Sequence, residues 1–445
     1  MSQGFSYSAS KMRQLAKDAL NYAKTKGASA CEVDVSEGFG QSVSVRRHEV
    51  DTIEYNRDKG LGVTVYLGQR RGHASSSDFS PAAIQASVNA ALAIARFTAE
   101  DDSAGLPEQE LLATRDMELD LFHPWRVGVE ESIDIARRCE QAAFDVSPLI
   151  SNSEGASVSA QQSQFVSANS LGFMGGFSTT RHYVSCSVIA GTGADMQRDD
   201  WYTTVRDPAT FPEAESIGAY AARRALSRLG ARKLKTRKCP VIFEAPLATG
   251  LLGSFVHAVS GGALYRKTSF LLDSLGRKVF PDFVQIEERP HLRGGFGSTP
   301  FDDDGVATHD REVVRNGVVE GYFLSTYSAR KLGMQTTGNA GGSHNLRVTS
   351  GRHDLNGLLR EMGRGLLVTE LLGQGVNYVT GDYSRGAAGY WVENGEIAYP
   401  VQEITIAGNL KDMFLGIAEI GTDIETRGAK QIGSVLLGQM TIAGS

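Results

Sequence analysis

The sequence predicts an α+β protein: an N-terminal α/β region with a mixed sheet and helices, then a glycine-rich, strongly twisted antiparallel β domain with a few helices. Three observations predict it. Helix and strand periodicities alternate over residues 8–102, and helices flank Ser-, Ala- and Gln-rich strands over 120–235. From Cys239 onward, glycine becomes frequent and short apolar strands dominate. The 445 residues divide accordingly into 1–102, 120–235 packed with the first region, and a third domain over 239–445.

Met12, Leu15, Ala16, Ala19, Leu20 and Ala23 repeat at helical spacing, and Gly27 ends that helix. Cys31, Val33 and Val35 alternate as in a half-buried strand, as do Val43 and Val45, and Leu61, Val63, Val65 and Leu67. Ser80 caps a helix that Pro81 opens, with Ile84, Val88, Ala91, Leu92 and Ala95 as its apolar stripe. The polar stretch Ala99 to Asp120 reads as a linker. A helix through Val129, Ile133, Ala136, Cys139 and Ala143 follows, then strands between Ala156 and Ala190, then a helix with Ile217, Tyr220, Ala221 and Ala225. Val241 to Phe243 is a short strand, and Pro246 to Gly261 a helix. Asn394-Gly395 joins Tyr390-Trp391-Val392 to Ile397-Ala398-Tyr399 as a tight hairpin. Two further helices are predicted, Asp354 to Leu371 and Asn409 to Ile420, the second capped by Asn409 and stopped by Gly421.

A formal net charge of −6 gives no general attraction to nucleic acid or anionic membrane. The basic run Arg223, Arg224, Arg228, Arg232, Lys233, Lys235, Arg237 and Lys238 reads as the solvated face of a helix entering a linker. Cys31, Cys139, Cys186 and Cys239 are too dispersed for a disulfide framework or zinc knuckle and suit small buried hydrophobes. The N-terminus lacks a signal-peptide apolar core and no run is long enough to span a membrane, so the expected location is cytoplasmic.

No two of the nine histidines lie three to five residues apart, so no helix presents a ligand pair and no His-Glu-x-x-His occurs. A phosphate-binding Gly-x-x-x-x-Gly-Lys and a Gly-x-Ser-x-Gly elbow are also missing. Asp302-Asp303-Asp304-Gly305 reads as a solvated turn. What remains is a set of polar, glycine-flanked segments in the third domain: Tyr265-Arg266-Lys267-Thr268, the run from Thr336 to Asn345, and Gly381-Asp382-Tyr383-Ser384-Arg385-Gly386. Missing side chains in such loops let a peptide backbone approach and pair as an added strand.

Several of these segments carry a resemblance. Tyr265-Arg266-Lys267-Thr268-Ser269-Phe270-Leu271-Leu272-Asp273-Ser274, Ser325 to Lys331, Thr380 to Gly389, Gly408-Asn409-Leu410-Lys411-Asp412-Met413, Glu425-Thr426-Arg427 and, in the middle region, Leu119 to Pro124 resemble signature stretches of the PmbA/TldE branch of the PmbA/TldD metalloprotease family. The resemblance implies the subunit of a TldD–TldE-type heteromeric protease that lacks the zinc motif. It also implies unfolded peptides as substrates, in antitoxin turnover and peptide-antibiotic maturation. In the sister branch a His-Glu-x-x-x-His motif lies on a helix early in the C-terminal domain. The corresponding stretch here, Thr249 to Ala258, keeps only His257. One imidazole does not make a three-ligand catalytic zinc site.

The expectations are therefore no cofactor in this chain, zinc in a TldD-like partner subunit, no catalytic residue of its own, and a homodimer as the alternative assembly of the isolated chain. Residues for a peptide groove or partner surface are His257, Tyr265, Arg266, Lys267, Asn339, Gly341, Gly342, His344, Asn345, Asp382, Tyr383, Ser384 and Arg385. Two rival readings stay open: a stand-alone peptide- or protein-binding regulator, and a peptidase whose metal is assembled from dispersed residues such as His257, His344 and His353.

Overall fold

The computed structural model describes residues 4–444. The first half builds one sheet. Helix α1 (Ala9–Thr25) is capped by Ser8, whose hydroxyl accepts from the Lys11 amide. Strands β1 (Ala30–Arg46), β2 (Glu49–Leu67) and β3 (Arg70–Ser76) follow, then α2 (Pro81–Phe97), capped by Ser80. After an irregular stretch come α3 (Val129–Val146), β4 (Ile150–Asn169), β5 (Met174–Gly175), β6 (Ser178–Ala190), β7 (Gln197–Val205) and α4 (Ala214–Ser227).

The strand order β3-β2-β1-β4-β6-β7 joins residues of both predicted regions through the long antiparallel β1–β4 pairing. Helices α1 and α2 bury Val33, Val35, Val63 and Val65, whereas α3 and α4 bury Val43, Val158, Val184 and Cys186. The four cysteines are buried free thiols. The separate alternations around Val33 and Val43 belong to one 17-residue strand. Strand β7, which the periodicity did not reveal, forms an edge of this sheet.

The second half opens with β8 (Arg237–Phe243), α5 (Ala245–Ala258) and the short α6 (Gly261–Tyr265). A small sheet contains β9 (Ile286–Glu288), β10 (Arg311–Arg315), β11 (Val318–Val319) and β12 (Leu346–Val348), with α7 (Thr326–Lys331) packed beside α6. Helix α8 (Leu355–Met362) leads to β13 (Gly365–Leu372), β14 (Asp382–Glu393) and β15 (Glu396–Asn409). The chain ends with α9 (Leu410–Leu415), β16 (Ile417–Ile420), β17 (Lys430–Gln431) and β18 (Val435–Ala443).

Strands β15, β14, β13, β8 and β18 pair in that order, and β15 pairs again with β18, so five strands close into a ring. Their pairing is antiparallel except for β8 with β13, and the small sheet has one further parallel pair, β12 with β17. The ring and α5 share a core in which Phe255 stacks edge-on to Phe280 and Phe414. Asn394 and Gly395, with φ of 55° and 78°, make the left-handed turn predicted between β14 and β15.

Three helix predictions are corrected. Asp354 caps only α8, and Gly363 (φ 65°) stops it, so 365–372 is strand. Asn409 caps only α9, which ends at Gly416, and 417–420 is strand β16. The predicted helix from Pro246 to Gly261 is broken at Val259-Ser260 into α5 and α6.

The reading of the basic run as a solvated face fits Arg223, Arg232, Lys233, Lys235 and Lys238, which are exposed, and is corrected for Arg224 and Arg228. Arg224 and Arg228 are about nine-tenths buried and hold the two halves together. Arg224 donates to Asp199 of β7 at 3.1 Å and to Glu244, just before α5, at 2.9 and 3.3 Å. Arg228 pairs with Asp199 at 3.4 Å and with Glu370 of β13. Removing one member of such a network leaves buried partner charges uncompensated, a loss on the order of 3–5 kcal/mol. Arg224→Ala is therefore expected to lower the urea midpoint of the full chain far more than Arg223→Ala, whose guanidinium lies over Tyr220; near-equal midpoints contradict the assignment.

Candidate functional site

Strand β8 pairs with β13 only at Val241–Leu366, Ile242–Leu367 and Phe243–Val368. The chain then turns into α5: the Glu244 amide donates to Val368 O at 3.1 Å, and Pro246 occupies the first helical turn. Strand β13 continues to Leu372, paired with β14 on one side only. Among the described residues no strand covers the other edge of 369–372. A cavity of about 350 Å³ opens there, between α5 and the turn joining β13 to β14.

Its floor is one face of α5: Leu247, Gly250, Leu251 and Ser254 at spacings of three and four. A Cβ placed on Gly250 would meet nothing within 4 Å, so this glycine keeps the floor open. The wall is Leu371, Gly373, Gln374, Gly375, Val376 and Tyr378, with Tyr383 and Arg385 from β14. Gly375 is required there, since a Cβ would lie 1.5 Å from Ser384 O, which this turn packs against. A second hollow of about 240 Å³ shares Pro246, Leu247 and Leu371 with the first and runs on to Trp201 and Tyr202 of the edge strand β7. There Arg427 stacks 4.0 Å from the Trp201 ring centroid and 4.3 Å from that of Tyr202, and donates to Tyr202 O.

The predicted site residues divide. Tyr383 and Arg385 line the groove. His257 lies one turn beyond Ser254 on the same face of α5, its ring 4.0 Å from that of Tyr378. Desolvation, then the nearby Arg266, hold its imidazole below the ordinary histidine value. Arg266 donates to Tyr265 Oη at 2.9 Å, and Tyr265 turns toward Tyr327. Lys267 is exposed. Asp382 is held by Thr380 and Asn409 at the end of β14, and Ser384 faces solvent.

Asn339, His344 and Asn345 are not brought to this groove. They are buried, and other groups of the fold take up their hydrogen bonds. Asn339 donates to Glu288 at 2.9 Å and accepts from Arg311; the His344 amide donates to the same carboxylate, and its Nε2 lies 2.8 Å from Gly338 O; Asn345 donates to Arg289 O and Ser298. Gly341 and Gly342 border a different depression, about 530 Å³, with Asp34, Phe165 and Phe301. Asp302 to Gly305 is a turn as predicted, solvated at Asp303 but not at Asp302. Asp302 is 3% exposed, accepts from the Asp304, Val306 and Ala340 amides, and burial pushes its carboxyl up to about 7.

The three family models for PmbA/TldA metallopeptidases match in order: domain 1 over 31–95, the central domain over 122–229 and the C-terminal domain over 236–444. The chain belongs to the PmbA/TldD family. It is 52% identical over 433 residues to Metalloprotease PmbA of Escherichia coli O157:H7, covering 97% of this chain and 96% of that one. Identity to the PmbA homolog of Haemophilus influenzae is 47% over 438 residues, with 98% and 96% covered. A crystal structure from Bacteroides thetaiotaomicron, described as a candidate modulator of DNA gyrase, superposes with a TM-score of 0.93 at 26% identity, covering 98% of this chain and all of that one. TldE from Thermococcus kodakarensis shares the fold at TM-score 0.83 and 20% identity, with 97% and 100% covered.

The family description implies a catalytic metal, and the groove can be tested for it. Its side-chain donors are one imidazole, two tyrosines, Thr249, Ser254, a glutamine and a guanidinium, with no carboxylate or thiolate on the lining. That set does not fit zinc, which takes imidazole, carboxylate or thiolate ligands. The imidazoles of the dispersed-metal reading also stay apart: His344 is spent on Gly338, His353 pairs with Glu419 at 3.0 Å, and His257 lies on Tyr378. Among the described residues no three His, Cys, Asp or Glu side chains converge to hold an ion.

The lowered His257 value has a sign. A histidine whose folded pKa is depressed favours the folded state above its unfolded value near 6.5, and this contribution is lost as pH falls. NMR titration is expected to place the His257 midpoint below 6.5, and Arg266→Gln to raise it. A midpoint at or above 6.5 contradicts the placement.

Proposed function

We propose that this chain is the non-catalytic subunit of a TldD–TldE-type heteromeric metalloprotease, working in the cytoplasm. It presents unfolded peptide to zinc carried by a TldD-like partner. The observation that carries this reading is the pairing of a metallopeptidase-family fold with a groove whose donors do not fit zinc. The uncovered edge of β13 supports the peptide half of the proposal. An extended segment laid along 369–372 gains main-chain hydrogen bonds whatever its side chains, which suits a protease that accepts many unfolded sequences. The apolar floor of Leu247 and Leu251 and the open space above Gly250 leave room for that segment.

No hydrolytic step is assigned to this chain. Its residues bind and orient: β13 supplies backbone partners, α5 the floor, and Trp201, Tyr202 and Arg427 the far end of the trough.

Zinc content by elemental analysis and hydrolysis of an unstructured peptide, each measured on the isolated chain and on the chain co-purified with its zinc-bearing partner, test the reading. Substoichiometric zinc and no turnover alone, with turnover in the complex, are expected. Stoichiometric zinc in the isolated chain, with turnover lost in His257→Ala, overturns it. Failure to recover a His-Glu-x-x-x-His partner at near-equal stoichiometry turns the assignment to a stand-alone peptide binder. Gly250→Leu fills the floor and improves helix propensity by roughly 1 kcal/mol. It is expected to keep the melting temperature while weakening peptide binding at least about tenfold, a cost of about 1.4 kcal/mol; unchanged binding excludes this groove.

A further inference from the structure

Among the described residues, Arg385 is the charged side chain on the lining of the groove. Along β14, alternate positions face inward: Tyr383 is 3% exposed and Ala387 fully buried, both within the main core. Arg385 stands between them in the same alternation and lines the cavity with Tyr383. Its Nε–H is buried without a hydrogen-bond partner, and among the described residues no Asp or Glu forms an ion pair with it. Other half-buried arginines have their donors taken up: Arg206 gives its to the Thr180, Gly295 and Phe296 carbonyls, and four more have carboxylates. Arg224 and Arg228 have Asp199, Glu244 and Glu370, Arg311 has Glu288, and Arg427 has Glu425.

Tyr383 does not neutralise this charge, because burial pushes its phenol up to about 12 despite the pull of Arg385, leaving it protonated at neutral pH. A guanidinium at an inward position with an orphaned donor is costly unless an anion completes it. The cavity beside it holds no carboxylate. Arg266 lies near His257 on the next turn of α5, and the adjoining hollow has Asp199, Asp200, Glu244 and Glu370, of which Arg224 and Arg228 take up Asp199, Glu244 and Glu370. A planar, forked donor against an acid-free wall matches a carboxylate, which it binds through two parallel N–H···O bonds.

We propose that Arg385 is a specificity-determining anchor for a carboxylate of the bound peptide, either its C-terminal α-carboxylate or an Asp or Glu side chain. This rests on the groove reading above and adds the chemical class the groove selects. Peptide backbone on β13 is sequence-neutral, whereas a single half-buried cation imposes a preference for acidic segments or acidic ends. Charge-assisted bonds to a partly buried guanidinium contribute on the order of 1.5–3 kcal/mol, a preference of roughly ten- to hundredfold.

The test uses the full-length chain and four extended hexapeptides labelled with an uncharged BODIPY fluorophore, identical except for their carboxylates: free C-terminus without acidic side chains, C-terminal amide with one internal Glu, both carboxylates, and neither. Fluorescence anisotropy is read at low and at 0.5 M salt. At least one singly charged peptide is expected to bind ten- to hundredfold tighter than the fully amidated one, and which one identifies the source. High salt should narrow the difference. In Arg385→Gln the four affinities are expected to converge on that of the neutral peptide, while Arg385→Lys keeps part of the preference. Circular dichroism and the affinity for the neutral peptide show that each variant is folded and its groove intact. If peptides bind but neutral and acidic ones bind alike, or the preference survives Arg385→Gln, the anchor is overturned and the groove reading stands. If no peptide binds, the groove reading itself falls, and the anchor with it.

Discussion

The short parallel pairing between β8 and β13 is the constraint on which the groove depends. Three residue pairs hold the strands together before β8 leaves the sheet at Phe243, and β13 runs on for four more residues. Had β8 continued, its backbone would cover the edge of 369–372. Instead the chain turns into α5, which is fixed at a distance by Phe255 against Phe280 and Phe414 and by Glu244 against Arg224. An edge strand left open is ordinarily an aggregation hazard. Here α5, the glycine turn 373–375 and the far wall at β7 recess it, so only an extended chain narrow enough to enter the trough reaches it.

Ring closure supplies the rigidity. Pairing of β15 with both β14 and β18 closes the ring at Thr405 to Ala407, and the last residues of β13 stay paired on one side. The first half contributes through β7 and α4, whose Asp199, Arg224 and Arg228 meet Glu244 and Glu370. The arginines read as a solvated face are the joint between the halves, and one flank of the trough is built on that joint. A fold related to metallopeptidases thus retains a bounded trough while the helix beneath it has the wrong donors to hold a metal.

Much of this was legible where local chemistry decides conformation. Ser80 caps a helix, Pro81 begins it, and Asn394-Gly395 turns a hairpin because those residues act on their own backbone. The same logic failed where neighbours in space decide. Gly365 to Leu372 has the apolar content of a helix face and was read as continuing α8, yet pairing with β8 and β14 makes it a strand, and with it the groove wall. The floor of Leu247, Gly250, Leu251 and Ser254 was missed, because the sequence marks α5 as a helix without showing which of its faces is left open. Asn339, His344 and Asn345 look like binding groups in a glycine-rich run, but a sequence does not show which polar atoms are already satisfied. Glu288, Arg311, Gly338 and Ser298 satisfy these. Tyr383 and Arg385 are legible because a polar, glycine-flanked run and the family segment coincide on them.

The central claim is that peptide is held on the β13 edge of a chain that supplies no metal ligands of its own. Hydrogen–deuterium exchange of the isolated, zinc-free chain, with and without a saturating unstructured peptide, tests it most directly. The account predicts slowed exchange at amides of 369–376 on the uncovered edge, with the first turns of α5 next most affected. Protection confined to the depression around Phe165 and Gly341, or none in 369–376 while the peptide is demonstrably bound, contradicts it.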